Sequence, residues 1–403
     1  MITLPPPTWL EVQGHSAFRA IQRAMRRIDP FFRPAFNSMF REPLASAVQW
    51  TMNARRRDQG FKLVEERSLP DENESLDSVI ETFTTYMRRN YRPGEYQRGG
   101  NTKTHGVVRG EFIVRDDVPV HMRHGIFAQP YAYRSWVRFS GPGPDMPKDI
   151  EDVGFVSCAV KLMGVPGPKL MEDEKSTQDF ISVCTPTFVT PDINANAKLQ
   201  AHMLRGTPGF YFFTTGFSHF LDFLMQGLWN ETQTSPLEAR YWSCVPYLLG
   251  PDQAMMYSVR PRDNVRTHIA NLPFGTPSNN YLREAMIKTL SERDVEFDFL
   301  IQTQTDPHRM PIEDAGVRWP EKLSPFVPVA TLRILRQTFA SPSQLAFAHN
   351  LSYTPWHCLP EHRPLGNQSR ARKRMYFELR NLRQRMNNTP HIEPTGDEVF
   401  QLI

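Results

Sequence analysis

Hydrophobic positions along the chain fall into short strand-like runs and longer helical stripes, and their order predicts the fold. One group of runs is rich in β-branched and aromatic residues and bounded by Gly, Pro or Asp: GVVRGEFIV (106–114), RSWVRFS (134–140), FVSCAVKLM (155–163) and DFISVCTPTF (179–188). A second group comprises AMMYSVRP (254–261), THIANLPF (267–274), VEFDFLIQTQ (295–304) and FVPVATLRILRQ (326–337). Runs of this kind read as strands. Helical periodicity marks 74–90, 280–293 and about 368–386, and residues of about 194–250 read as a helical insertion between the two groups. Four strands, an insertion and four more strands predict an α+β fold, a closed antiparallel β-barrel with helical arms. Residues 1–70 are expected to form an N-terminal arm, and 71–403 the barrel domain.

Within the arm, Phe18, Ile21, Met25 and Ile28 recur at helical spacing while Arg19, Arg23, Arg26 and Arg27 take the other faces. The stripe in residues 16–40 is expected to dock on the chain's own core or on a partner subunit of a homodimer, with a membrane surface as the alternative. The 35 prolines suggest irregular arms, since proline breaks helices and central strands. Lys and Arg total 47 against 43 Asp and Glu, a net charge of +4, so no nucleic-acid partner is expected. The four cysteines form no C-x-x-C pair and read as reduced structural thiols. The N-terminus has no secretory pattern and no window spans a bilayer, so the expected location is cytoplasmic, with peripheral membrane contact as the variant.

Candidate chemistry concentrates near the C-terminus. In RARKRMYFELRNLR (370–383) the residues Arg372, Tyr376, Arg380 and Arg383 share one helix face, beside an apolar stripe of Met375, Leu379 and Leu382. A solvated basic helix is one reading. The other rests on acidity: a tyrosine of pKa about 10 binds ferric iron only as phenolate, and cations such as Arg372 and Arg380 one turn away favour that anion. Elsewhere, His105 precedes Gly106 at a strand mouth, and Arg138 and Ser140 alternate on one face of a strand.

Taken in order, Thr104-His105-Gly106, Arg138-Phe139-Ser140, the Asp152-to-Lys161 segment and Arg372-x-x-x-Tyr376 resemble the haem-dependent catalase family over about residues 95–385. The resemblance implies haem b, with Tyr376 as the proximal iron ligand, Arg372 hydrogen-bonded to its phenolate, and Arg380 beside it. It implies His105 as the distal acid/base, Ser140 holding the other imidazole nitrogen, and Arg138 facing a propionate with Lys103 and Arg98 competing for it. The chain departs from the family pattern in having no asparagine between residues 102 and 193, which leaves Thr177 or Gln178 in the place of the distal amide. Thr104 stands where catalases usually carry an apolar residue and is expected to restrain the imidazole. These departures look like the compact catalase-related peroxidases and coral allene oxide synthases, and imply an organic hydroperoxide, plausibly of a fatty acid, as substrate. Disproportionation of hydrogen peroxide and non-catalytic haem binding are the alternatives.

Overall fold

Side-chain alternation gives each strand of the first group one face for a shared interior and one for the helices outside. The computed structural model describes residues 2–213 and 219–401. Its strands are β1 (Thr104–Val114), β2 (Ala132–Ser140), β3 (Ser157–Leu162), β4 (Gln178–Val183), β5 (Tyr241–Trp242), β6 (Tyr247–Leu248), β7 (Ala254–Pro261), β8 (Val295–Thr303) and β9 (Val327–Ile334). They hydrogen-bond in the order β5-β4-β3-β2-β1-β9-β8-β7-β6, and a β5–β7 pairing closes the ring. All strands but β6 therefore form a closed antiparallel barrel, which leaves no open edge within the ring. Phe112, Phe180, Tyr257 and Phe299 fill its interior, with Phe180 and Phe299 ring centroids 4.9 Å apart and Phe180 and Tyr257 5.2 Å apart.

Seven of the eight predicted runs coincide with strands, and THIANLPF does not. Residues 267–274 form a loop in which Thr267 donates to Glu238, Asn271 has a left-handed φ of 69° and Phe274 is exposed. The eighth barrel strand is instead the two-residue β5, inside the segment read as a helical insertion.

The helices are α1 (Trp9–Phe36), α2 (Glu42–Arg55), α3 (Glu72–Asn90), α4 (Ile193–Leu204), α5 (Phe220–Trp229), α6 (Tyr281–Glu292), α7 (Pro342–Asn350) and α8 (Asn367–Met386). The arm is more regular than its prolines suggest. α1 runs through Pro30 and Pro34; the Arg26 carbonyl that Pro30 leaves without its helical donor accepts from the Thr232 hydroxyl at 2.8 Å, and a π-helical turn at Asn37–Arg41 leads into α2. Its docking face is the reverse of the one expected. Arg26, Asp29 and Arg33 are buried, while Ile21, Met25 and Ile28 face solvent.

α8 begins at Gly366, whose φ of 84° and approach to the Ile312 carbonyl, 2.3 Å from where a Cβ would stand, admit only glycine. Its apolar stripe packs as read from the sequence: Ala371 and Met375 join Leu76, Val79 and Ile80 of α3, and Leu379 and Leu382 join Met87. Arg370 fixes the start of the helix against Glu66, Glu72 and Glu313 at 2.8–3.0 Å. With that stripe on α3, the Arg372/Tyr376/Arg383 row turns toward the barrel.

Candidate functional site

His105 is placed by a β-bulge. Thr104 pairs with Ser140 and Gly106 with Phe139, so His105 is the extra residue of β1, opposite nothing on β2. A bulge re-aims the side chain it carries. Gly106 allows Phe339 to close in: a Cβ there would lie 2.5 Å from its ring. The imidazole is 1% exposed, and neither ring nitrogen has a hydrogen-bond partner among the described residues. The nearest acid, Asp149, is 3.9 Å from Nδ1, beyond hydrogen-bonding distance. Burial, helped by Lys103, Arg283 and Arg138, pushes the His105 pKa down to about 3, so the ring is neutral at pH 7.

The residues expected around it have other partners. The Thr104 hydroxyl accepts from Arg138 at 2.7 Å and does not touch the imidazole. Ser140 does not hold the second nitrogen either, although it lies on the Arg138 face of β2 at the same barrel end. Lys103 pairs with Asp149 at 2.6 Å and also donates to the Pro147 and Asn279 carbonyls, so it is not free to face an anion beside Arg138. Thr177 and Gln178 stand at the wrong end of β4. Ser157 of β3, which pairs with Ser140, faces Val183, whereas Gln178 faces Leu162 and bonds the Leu359 amide. An amide does reach the His105 end of the sheet from outside the strand: Asn101 accepts from the Ser157 hydroxyl at 2.7 Å.

Arg138 belongs to a cluster that the strand pattern alone does not announce. Its guanidinium donates to Thr104 and to the Asn101 carbonyl. Arg98 donates to the carbonyls of Ala348 and Leu351, and Arg383 of α8 to those of His349, Asn350 and Leu351, at the C-terminal end of α7 where the helix dipole favours cations. Arg138 and Arg383 are buried and Arg98 partly so, and the three are electrostatically adjacent. Burial, then their mutual repulsion, holds Arg138 and Arg383 well below the ordinary arginine range, and burial brings Arg98 to about 10. Among the described residues no carboxylate pairs with any of them. Thr104→Val should therefore loosen Arg138 and leave His105 in place, costing about 1–3 kcal/mol in chemical denaturation for the donors left unpaired.

On α8 the row divides. The Arg372 guanidinium lies over the Phe188 ring at 5.0 Å and is close enough to Tyr247 and Tyr257 to oppose the upward pKa push of their burial. Tyr376 acts on Tyr247 in the opposite sense. Arg380 leaves the row and pairs with Asp173. Tyr353, a second tyrosine in the preceding loop, donates to the Trp136 carbonyl at 3.3 Å.

Asp173 leads into a buried ionic cluster. Lys161 contacts Glu174 and lies 2.8 Å from Asp179, and His357 faces Asp173, Glu174 and Asp179 at 3.1 Å each. Glu174, Asp179 and His357 converge like metal ligands, but the Lys161 ammonium already supplies the cation between the two carboxylates. Burial opposes charge on His357, yet the three carboxylates outweigh it and push its pKa up to about 10. Its unfolded value is near 6.5, so the stability it adds is complete below about pH 6.5 and is lost as pH rises through about 10. The denaturation midpoint should fall over that window, and less steeply in His357→Leu.

This barrel with its helical arms is found in solved proteins. The chain has the catalase fold. It is similar to a fungal catalase at 15% identity and TM-score 0.51, over 86% of this chain and 70% of that one. It is similar to a bacterial catalase at 15% identity and TM-score 0.51, over 84% of this chain and 67% of that one. No family model matches the chain and no curated protein is similar to it in sequence. At such identity the likeness speaks for the fold alone, so the chemistry rests on the side chains.

Proposed function

We propose that the chain binds haem b through Tyr376 and cleaves the O–O bond of an organic hydroperoxide, plausibly of a fatty acid. The observation that carries this reading is the cluster of Arg98, Arg138 and Arg383: two buried guanidiniums and a partly buried one, with no carboxylate partner among the described residues, fit an anionic group with two carboxylates, as haem has. The fit extends to the imidazole. An anion beside Arg138 would offset one of the cations that depress His105 and bring the ring closer to a working acid/base.

When bound, haem would be the source of the electrons that O–O cleavage consumes, which return to the product in an isomerisation or dehydration or are replaced by a reducing donor; the rest falls to this chain's residues. Tyr376 would supply the phenolate, and Arg372 the positive charge that favours it. Neutral His105 would take the hydroperoxide proton on Nδ1 or Nε2 and return it to the departing oxygen. Arg283 donates to the Thr104 and His105 carbonyls and so fixes the strand segment that carries the imidazole. An open cleft of about 420 Å³ lies beside this segment, where Met146, Pro147 and Leu345 stand among polar groups that include Lys103, Arg283 and His349. It has room for a substrate with an organic tail, whose contact with those three apolar side chains would contribute binding energy unavailable to hydrogen peroxide.

The test is turnover of both substrates by one holoprotein preparation. Conversion of a polyunsaturated fatty-acid hydroperoxide with slow oxygen evolution from hydrogen peroxide is the expected result. Rapid oxygen evolution without conversion of the organic substrate would make the protein a compact catalase.

A further inference from the structure

α1 buries its polar side. Arg26 donates to the Val153 carbonyl at 2.6 Å, Arg33 to Asp29 at 2.7 Å and to the Asn230 carbonyl at 2.8 Å, and Asp29 accepts from the Thr232 amide at 2.6 Å. The nearly opposite side, about 150° round the helix, is apolar and open. Leu10, Ala17, Ile21, Ala24, Ile28 and Phe31 repeat on one stripe, and all are exposed. The apolar surface continues beyond it: Phe18 contacts Phe223 of α5 at 6.2 Å, Phe213 and Phe220 flank Phe223, and Leu44 and Trp50 of α2 are exposed, Trp50 by 73%. A contiguous apolar face of this extent marks an interaction surface.

We propose that this face of α1, α2 and α5 docks on an anionic lipid surface. Charge selects that occupant. On this flank of α1, Arg19 and Arg27 donate to the Glu151 and Gly275 carbonyls, neutral partners that leave their charge uncompensated, and Arg23 is exposed with Glu151 3.7 Å away; the acids of α1 itself are held inward, Glu11 by Arg205 at 2.5 Å and Asp29 by Arg33 at 2.6 Å. A second copy would meet these arginines with its own and offer no carboxylate from α1, whereas anionic headgroups complement them. The lateral spread onto the aromatics of α5 and α2 suits a plane better than a single partner helix. Among the described residues no helix is long and apolar enough to cross a bilayer, so α1 lies on the surface. The surface is independent of the reaction proposed above.

The full chain would be co-sedimented with vesicles of phosphatidylcholine alone and of phosphatidylcholine with phosphatidylserine, and its mass in solution measured in parallel. Binding to the anionic vesicles that weakens with salt is expected. The double variant Ile28→Asp with Phe31→Asp should bind at least about 10-fold more weakly, the scale of losing two buried apolar side chains. Arg23→Gln, which removes no apolar contact, should weaken binding and reduce its salt dependence, and near-UV circular dichroism checks that the variants fold. Wild-type protein that leaves anionic vesicles unbound overturns the proposal, as does binding that neither variant weakens. A dimer that the aspartates dissociate, without vesicle binding, would instead assign the face to a second copy.

Discussion

Tyr376→Phe is expected to lose most of the protein's haem, measured as haem per polypeptide after purification or after reconstitution with haemin. Phenylalanine keeps the ring but has no oxygen to offer iron. Arg98, Arg138 and Arg383 remain, so residual weak binding through the acidic groups of the cofactor should survive, and its spectrum should no longer be that of a tyrosinate complex. Tyr353→Phe is the control. Its hydroxyl already donates to the Trp136 carbonyl, and burial together with Asp179 raises its pKa, so that variant should keep its haem. Full haem content in Tyr376→Phe would move the ligand assignment elsewhere.

His105→Leu is expected to lower hydroperoxide turnover by roughly 10²-fold or more, the scale of losing a positioned acid/base. Stability should move the other way. Two buried ring nitrogens without partners are a cost to the folded chain, and an apolar side chain of similar size removes it, for a gain of about 1–3 kcal/mol in the haem-free protein. A residue that merely packs would show losses of both kinds. The pH profile gives a second check. Because the ring in the haem-free fold takes up a proton only near pH 3, acidification from pH 7 to 5 should not protonate it there, and holoprotein activity should fall in that range only as far as bound anions raise that value.

Much of this arrangement was legible in the chain, for reasons that can be located. Phe112, Phe180, Tyr257 and Phe299 sit on runs whose alternation or apolar density is long enough to read, so seven strands were found. β5 is two residues long and carries no period at all, while the Ile269 and Leu272 pair mimics a strand in a loop turned by Asn271. The α8 stripe was readable because Met375, Leu379 and Leu382 meet a single partner, α3. The site was readable only in part. His105 and Tyr376 stand in short recognisable patterns, but the bulge that turns His105 depends on the register with β2, and Arg98, Arg138 and Arg383 meet only through the C-terminal end of α7. Arg383 lay on the right face of the helix, and nothing in its spacing distinguished it from Arg380, which serves Asp173 instead. The arm was misread because Arg26, Asp29 and Arg33 find backbone and side-chain partners on the body, which a rule that apolar faces dock inward cannot foresee.

The central claim, that this chain holds haem through Tyr376, is tested most directly by the electronic and electron paramagnetic resonance spectra of the wild-type protein titrated with haemin. One haem per chain, high-spin and ferric, with charge-transfer bands of a tyrosinate ligand that vanish in Tyr376→Phe, is the predicted result. No stoichiometric binding, or a low-spin complex ligated by two histidines and indifferent to Tyr376, would contradict it.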